Sequence, residues 1–293
     1  MGDEFYMKNI LIIHDASSFG KCSTTVALPI LSSMHLQGTI LPTALLSTHT
    51  GPGFEGFTFL DLTDEMEKIV DHWHSFDLKF DAAYVGYLGS VRQIKFLEKE
   101  LPKLLKDDAK FYLDPVMADN GSFYYGFDEE YAKEMLNLCA MADVIMPNQT
   151  EASFLYGVDY TEGIWPQEKI DEFLTLVRKQ TNASVVLTGA GYDGESQTGA
   201  YYLDVETGEK GLATGPFIGG KFHGTGDIFG SIFVGALANG ASVKVASQLA
   251  VDYIPKIIEK SLDDPDVMMN GLQFELFLGD LSNFVSKLKA NQQ

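Results

Sequence analysis

The sequence predicts an α/β protein of three layers: a mainly parallel central sheet between two layers of helices, with an antiparallel hairpin at one edge. Three observations predict it. Short apolar runs alternate with helix-like segments throughout the 293-residue chain, the order expected of parallel strands joined by crossover helices. The first run is apolar at every position rather than alternating, as in a strand buried on both faces. After about Gly191 the texture becomes rich in Tyr, Gly and Asp around a turn, which is hairpin chemistry. No linker, repeat or low-complexity segment interrupts the chain, and α/β folds of this length commonly form one unit. A single domain over residues 1–293 is therefore expected.

In chain order, Asn9-Ile10-Leu11-Ile12-Ile13 is the first strand, and it empties into the polar loop His14-Asp15-Ala16-Ser17-Ser18-Phe19-Gly20-Lys21. A helix over about 23–37 follows, then a strand over 39–47 and the loop Thr48-His49-Thr50-Gly51-Pro52-Gly53-Phe54. Residues 63–75 read as an amphipathic helix opened by Thr63, 82–88 as a strand, and 90–105 as a Lys/Glu-rich helix with a solvated outer face. The strand 110–113 stops at Asp114-Pro115, where the proline leaves Asp114 at the C-terminal edge. Val144-Ile145-Met146 leads likewise into Pro147-Asn148-Gln149-Thr150-Glu151, and Ser184-Val185-Val186-Leu187 into Thr188-Gly189. Residues 199–205 and 210–214 pair around Glu206-Thr207-Gly208-Glu209. Helices resume at Asp227 and run through Ala241 to about Lys260, and the acidic loop 261–266 precedes a last helix or two. Three strands ending in polar residues make a rim on the side where open α/β sheets take ligands.

Lysine and arginine total 21 against 41 aspartate and glutamate, a net charge of −20. That field repels nucleic acid and anionic membrane surfaces. An anionic ligand must then be held locally, by backbone nests, helix ends and a metal ion. Cys22 and Cys139 lie far apart with no C-x-x-C spacing, so free, mostly buried thiols in a reducing compartment are expected. The first residues lack the basic-then-apolar order of a secretory signal, and no run approaches the roughly 18 apolar residues of a membrane span. Cytoplasmic residence is expected.

The chemistry concentrates in Phe222-His223-Gly224-Thr225-Gly226-Asp227-Ile228-Phe229-Gly230-Ser231, a loop that turns into a buried helix running on to Ala238. Gly224 and Gly226 are expected to adopt conformations that point successive N–H groups into one concavity, with the positive end of the helix behind them. Asp227, in the first turn, would face the anion held there, a place for a general base beside a transferring phosphoryl group. The same residues alone also read as an ordinary helix start capped by Thr225 or Asp227. Asn148-x-x-Glu151 puts an amide and a carboxylate on one side of a first turn, for metal and phosphate or for a capping box. Asp114 is either a ligand-facing carboxylate or an Asx turn. Thr188-Gly189 offers a hydroxyl and backbone groups to phosphate, or is a plain strand-to-turn junction.

With its flanks, Gly224-Thr225-Gly226-Asp227 resembles the G-[AT]-G-D signature of the ribokinase superfamily. The Thr at its second position is closer to the vitamin B6 and hydroxymethylpyrimidine kinases than to the sugar kinases. The resemblance implies a ribokinase-like three-layer fold, Asp227 as catalytic base, and Gly224, Thr225 and Gly226 as the groups that receive the transferring phosphoryl charge. Asn148-x-x-Glu151 is similar to the family's N-x-x-E motif and Asp114-Pro115-Val116 to its D-P-V motif. Thr188-Gly189 occupies the place of the family's nucleotide-contacting T-x-G-like segment, here as T-G-A-G. Together these resemblances assign Asp114, Asn148, Glu151, Thr188 and Gly189 to the ATP phosphates, with Asp114 and Glu151 holding Mg²⁺ directly or through water. On the acceptor side, Asp15 in His-Asp-Ala-Ser-Ser-Phe-Gly looks like the D-x-S-x-x-G of hydroxymethylpyrimidine kinases. Ser47-Thr48-His49-Thr50-Gly51 resembles the S-N-H-T-G of pyridoxal kinases, and Gly86-Tyr87 their G-Y pair, whose Tyr packs over a pyridine ring. Asp15, Thr50 and Tyr87 are thereby placed in the substrate pocket.

Together the resemblances imply an ATP- and Mg²⁺-dependent kinase acting on the 5′-hydroxymethyl group of pyridoxal, pyridoxine or pyridoxamine. Hydroxymethylpyrimidine is the alternative acceptor, and a catalytically silent vitamer- or nucleotide-binding protein the alternative outside enzymes. A homodimer and a monovalent cation such as K⁺ are further implications. Two departures stand out: Ser18-Phe19-Gly20-Lys21 lacks the G-G-A-G of hydroxymethylpyrimidine kinases, and the same loop lacks the G-x-x-G-N common in pyridoxal kinases.

Overall fold

The computed structural model describes residues 6–51, 53–161, 163–190, 195–220 and 222–292. The first residues, read above for a signal, lie outside these, as do Pro52 in the loop after the second strand and Gly191, where the composition shifts. The chain runs β1 (Asn9–Ser17), α1 (Thr24–Ser33), β2 (Gln37–Leu46), β3 (Phe59–Asp61), α2 (Thr63–His74), β4 (Phe80–Val85), α3 (Val91–Leu104) and β5 (Leu105–Leu113). A small hairpin of β6 (Ala118–Asp119) and β7 (Ser122–Phe123) leads to α4 (Glu129–Met141), β8 (Val144–Ile145), α5 (Gln149–Tyr156), α6 (Gln167–Gln180) and β9 (Ser184–Thr188). The remainder is β10 (Gln197–Leu203), β11 (Lys210–Pro216), α7 (Thr225–Ala238), α8 (Val243–Ser261), α9 (Val267–Asn270), a 3-10 turn (Phe274–Phe277) and α10 (Leu278–Gln292).

One sheet takes the order β11-β10-β9-β8-β5-β4-β1-β2-β3. The six strands from β9 to β2 are mutually parallel, while β10 and β11 on one side and β3 on the other pair antiparallel. The expected hairpin edge is present, and the opposite edge is antiparallel too.

The apolar run of β1 is divided residue by residue between two cores. Leu11 and Ile13 face a layer packed by α2, α3, α4, α5 and α6, while Ile10 and Ile12 face one packed by α1, α7, α8 and α10. Phe111 and Leu113 against Tyr112 in β5, and Val185 and Leu187 against Val186 in β9, divide in the same way. A strand with both faces covered has no polar face to show, which is why these segments read as unbroken apolar runs.

Several boundaries differ from expectation. β1 runs on through the polar His14–Ser17, with its register to β2 shifting between His14 and Ala16. Asp15 therefore sits at a pairing irregularity, a device that re-aims a side chain. β5 starts at Leu105, where the helix before it was expected to end, and its polar first half reaches Phe80 of β4. The helices expected from Asp227 to about Lys260 are α7, which starts two residues earlier at Thr225, and α8: Asn239 ends α7, Gly240 takes φ +90°, and the Ser242 side chain accepts from Val245 N to open α8. Cys22 and Cys139 are buried and free. Among the described residues no helix is long and apolar enough to cross a membrane.

Candidate active site

The parallel strands deliver their C-terminal ends to one side of the sheet, where ligands of open α/β sheets bind. β1 brings Asp15 there, the loop after β2 brings His49, Thr50 and Gly51, the end of β4 brings Tyr87, and β9 brings Thr188 and Gly189. With Gly224, Thr225, Gly226 and Asp227 they line one cleft of 1170 Å³. Tyr124 and the β6–β7 hairpin residues Asp119 and Asn120 close a third side, and Val251 and Ile254 of α8 supply an apolar wall. No lysine or arginine is among the described residues that line it.

Gly224 is the N-cap of α7, with φ +79°, and a Cβ on it would lie 2.5 Å from the Lys21 carbonyl oxygen. Glycine alone fits both conditions. Gly226 was expected to need the same freedom and does not: its φ is not left-handed, and nothing lies within 4 Å of the Cβ position. Its bare face is open to the cleft. Neither Thr225 nor Asp227 caps the helix, and no side chain does. The first-turn N–H groups therefore lack side-chain acceptors, the condition under which a helix start receives an anion.

Asp227 is the third residue of α7 and half-buried. Desolvation pushes its carboxyl up to about 7, the Ser23 N–H works against that rise, and the charge of Asp15 adds to it. A carboxylate so tuned is matched to taking a proton near neutral pH. Asp15, buried, is raised by desolvation and held back by the hydroxyls of Ser23 and Ser17, the latter donating to Asp15 Oδ2 at 3.1 Å. Tyr87 packs its ring at 5.6 Å from Phe127 while facing the cleft, and burial pushes its hydroxyl up to about 12. Gly86 before it is a glycine for a local reason: a Cβ there would meet the ring of buried His14 at 2.2 Å. His49 and His223 stand with ring centroids 4.4 Å apart. Burial, reinforced by His223, lowers His49 to about 4, and burial lowers His223 as well.

Asp114, Asn148 and Glu151 are not among that lining; Asp114 lies within electrostatic reach of both Glu151 and the cleft's Asp227. Asn148 and Glu151 form a capping box that opens α5: Asn148 Oδ1 accepts from Glu151 N at 2.9 Å and Glu151 Oε2 from Asn148 N at 2.8 Å. Asn148 Nδ2 donates to the Ala118 carbonyl at 2.8 Å, and Met117 N donates to Glu151 Oε1 at 3.1 Å. The amide of Asn148 is thus committed at both ends. Asp114 makes no side-chain hydrogen bond among the described residues, and desolvation together with the charges of Glu151 and Asp227 raises it far above the carboxylate range. Asp114, with both oxygens open and Glu151 nearby, suits a hard divalent cation. Among the described residues, no three His, Cys, Asp or Glu side chains are placed to hold a metal by themselves. The donor set fits an ion that takes one or two carboxylates and completes its shell with phosphate and water, as Mg²⁺ does.

Residues 31–268 match the family described as phosphomethylpyrimidine kinase. The chain belongs to that family. It lies in the vitamin B6 kinase branch of the ribokinase superfamily, related to the hydroxymethylpyrimidine kinases, and it is a phosphotransferase. A phosphomethylpyrimidine kinase-like protein of Bacteroides thetaiotaomicron, crystallised with pyridoxal, is 37% identical with a TM-score of 0.88, covering 94% of this chain and 96% of its own. Pyridoxal kinase of Lactobacillus plantarum is 30% identical with a TM-score of 0.85 over 98% of this chain and 99% of its own. Pyridoxal kinase of Dictyostelium discoideum is 25% identical over 249 residues, 79% of this chain and 76% of the relative.

In this family member the fold brings Asp15, Thr50, Tyr87, Thr188, Gly189, Gly224, Thr225, Gly226 and Asp227 to one cleft, and keeps Asp114, Asn148 and Glu151 outside its lining, with Asp114 close enough to Asp227 to feel its charge. Sequence reasoning missed Ser17 and Ser23, which touch the Asp15 carboxyl, and the lining residues Asp119, Asn120 and Tyr124. Position beside Asp15 was the available signal for Ser17. Asn120-Gly121, at φ +50° and +74°, is the turn dipeptide that could have announced the Ala118–Phe123 hairpin, though not that it lies over a site.

Proposed function

We propose that this phosphotransferase is an ATP- and Mg²⁺-dependent vitamin B6 kinase that phosphorylates the 5′-hydroxymethyl group of pyridoxal, pyridoxine or pyridoxamine. One observation carries it: an uncapped helix start with a desolvated carboxylate at its third residue opens onto a pocket walled by Tyr87, His49 and Asp15. Phosphoryl transfer needs positioning, neutralised charge and a proton acceptor, and each has a residue here. Asp227 takes the proton of the acceptor hydroxyl. The N–H groups of Gly224, Thr225 and Gly226 receive the charge on the transferring phosphoryl group. Tyr87 stacks on the heteroaromatic ring, while Asp15 and Thr50 orient its polar substituents. Thr188 and Gly189 face the nucleotide. Asp114 and Glu151 would hold Mg²⁺, directly or through water, which when bound would neutralise phosphate charge, and Asn148, assigned to the same phosphates, also fixes Glu151. The pyridoxal carried by the Bacteroides relative supports the B6 acceptor.

Hydroxymethylpyrimidine is the second reading, favoured by the name of the matched family. A single kinase domain over residues 1–293, a homodimer, K⁺ as a monovalent activator and cytoplasmic residence complete the proposal.

The deciding experiment is Mg²⁺-dependent ADP release with pyridoxal, pyridoxine, pyridoxamine and hydroxymethylpyrimidine offered separately, and with Asp227→Asn as control. Turnover led by the B6 vitamers and reduced on the order of 10²–10⁴-fold in the variant is expected. Turnover with the pyrimidine alone would replace the acceptor. A fully active Asp227→Asn would remove Asp227 as base, and silence with all four acceptors would favour a binding protein.

A further inference from the structure

Ser23 opens α1 without behaving as an opening serine. Such a residue normally has extended backbone and accepts from a first-turn N–H. Ser23 has φ +52° and ψ −126°, and its side chain caps nothing. It follows Gly20 at φ +94° and Lys21 at φ +26°, so this short loop repeatedly enters a region that side chains disfavour. Strain of that kind persists only where the surroundings fix it, and it collects at functional sites. The surroundings here are specific. The Lys21 carbonyl packs against Gly224, and Lys21 Nζ is bonded to the Leu272 carbonyl at 3.2 Å and to Glu275 Oε2 at 2.9 Å.

The twisted backbone sets Ser23, 7% exposed, in the cleft lining together with Asp15 and Asp227. Its hydroxyl, released from capping, lies near enough to the Asp15 carboxyl, and its N–H to the Asp227 carboxyl, to favour the charged form of each. Two carboxylates this close repel each other, and each gains from a fixed donor that selects one rotamer. We propose that Ser23 is a positioning residue that ties the acceptor-side Asp15 to the base Asp227 through two donors on one residue, its hydroxyl and its N–H. The inference rests on the assignment of Asp227 as base and Asp15 as acceptor contact given above. It also accounts for a serine that holds left-handed backbone in a loop lacking the G-x-x-G-N pattern.

Three variants, assayed by ADP release with pyridoxal as varied acceptor and by thermal unfolding, separate the two donors. Ser23→Gly tolerates the left-handed backbone and keeps the N–H but loses the hydroxyl. Its acceptor KM should rise about tenfold, with kcat within about threefold of the parent and Tm no lower. Ser23→Val cannot rest at φ +52°, so its N–H moves off Asp227 and kcat should fall about 10- to 100-fold as well. Ser23→Asn suits left-handed backbone and still carries a donor, and should recover most of the acceptor KM lost in Ser23→Gly. Parental KM in Ser23→Gly would overturn the hydroxyl's role. Equal kcat in the folded Gly and Val variants would overturn that of the N–H. If Asp227→Asn turns over normally, the base assignment fails whatever Ser23 does; if it is inactive while all Ser23 variants match the parent, only the coupling fails.

Discussion

The two glycines beside Asp227 should respond oppositely to alanine. At Gly224 the new Cβ meets a backbone oxygen, Lys21 O, at 2.5 Å, and the residue stands at φ +79°. Left-handed alanine costs about 1–2 kcal/mol, and overpacking against an atom that cannot rotate away adds about 1–3 kcal/mol. If the backbone holds, Gly224→Ala should lose roughly 2–5 kcal/mol, read at about 2–4 °C of Tm per kcal/mol in thermal unfolding. If the backbone yields instead, the N–H groups at the start of α7 leave their places, and turnover should fall on the order of 10²–10³-fold, as on loss of one oxyanion-hole donor. At Gly226 a Cβ meets nothing within 4 Å, so Gly226→Ala should keep or raise Tm, by about 0.5–1 kcal/mol of helix preference. Any loss of turnover there would mean that a ligand occupies the open face. Parental Tm and turnover in Gly224→Ala would refute the packing on which this rests.

With Asp227 as the proposed base, the desolvation that pushes it up to about 7 should make kcat/KM fall about tenfold per pH unit below neutrality; a profile flat to pH 5 would exclude it as the titrating base. Glu151 is raised by burial, so the folded chain keeps that proton where the unfolded chain has lost it, and stability is lost as pH rises above the usual glutamate range. Glu151→Gln should therefore gain on the parent in denaturant titrations from pH 5 to pH 8, whereas Glu151→Ala, leaving Asn148 N and Met117 N without their acceptor, should lose about 1–3 kcal/mol. A Cβ at Gly230 would stand 2.3 Å from the hydroxyl of fully buried Tyr84; Gly230→Ala should cost about 1–3 kcal/mol, and Tyr84→Phe should recover part of it. Strict additivity in that double mutant would mean the two residues do not touch.

The sequence made the sheet legible wherever burial is two-sided. β1, β4, β5, β8 and β9 are apolar because each lies between two helical layers, and composition records that directly. Legibility failed where pairing is decided by backbone position instead. Polar His14–Ser17 extends β1 because β2 runs beside it, and Leu105–Lys110 joins β5 because Phe80 offers a partner. β3 carries three exposed residues, and the Asn239–Ser242 break hides in an otherwise favourable helical stretch. At the site, motif order placed Asp15, Thr50, Tyr87, Thr188 and Gly189 in the cleft because each ends or follows a parallel strand, and Gly224–Asp227 because they open α7. It gave no means of separating the two glycines, because φ is not written in a one-letter code. Nor could it show that Asn148 spends its amide on the start of α5. Ser23 escaped for a related reason: a serine before a helix reads as a cap, and only the backbone angle reveals that it is not one.

On the proposed reading, a cleft lined by carboxylates, without lysine or arginine among its described lining residues, would grip phosphate with peptide dipoles and with a cation the nucleotide brings. Peptide N–H groups neither gain nor lose protons over the physiological range, burial keeps His49 from acquiring charge there, and it lowers His223 as well. Holding and reacting are thereby divided between groups that answer to different variables. Acidification should silence the base while leaving the anion's seat intact, and chelation of divalent ions should empty that seat while leaving the base ready. The enzyme would thus stall in two distinguishable ways, loaded but inert in acid, competent but vacant without magnesium.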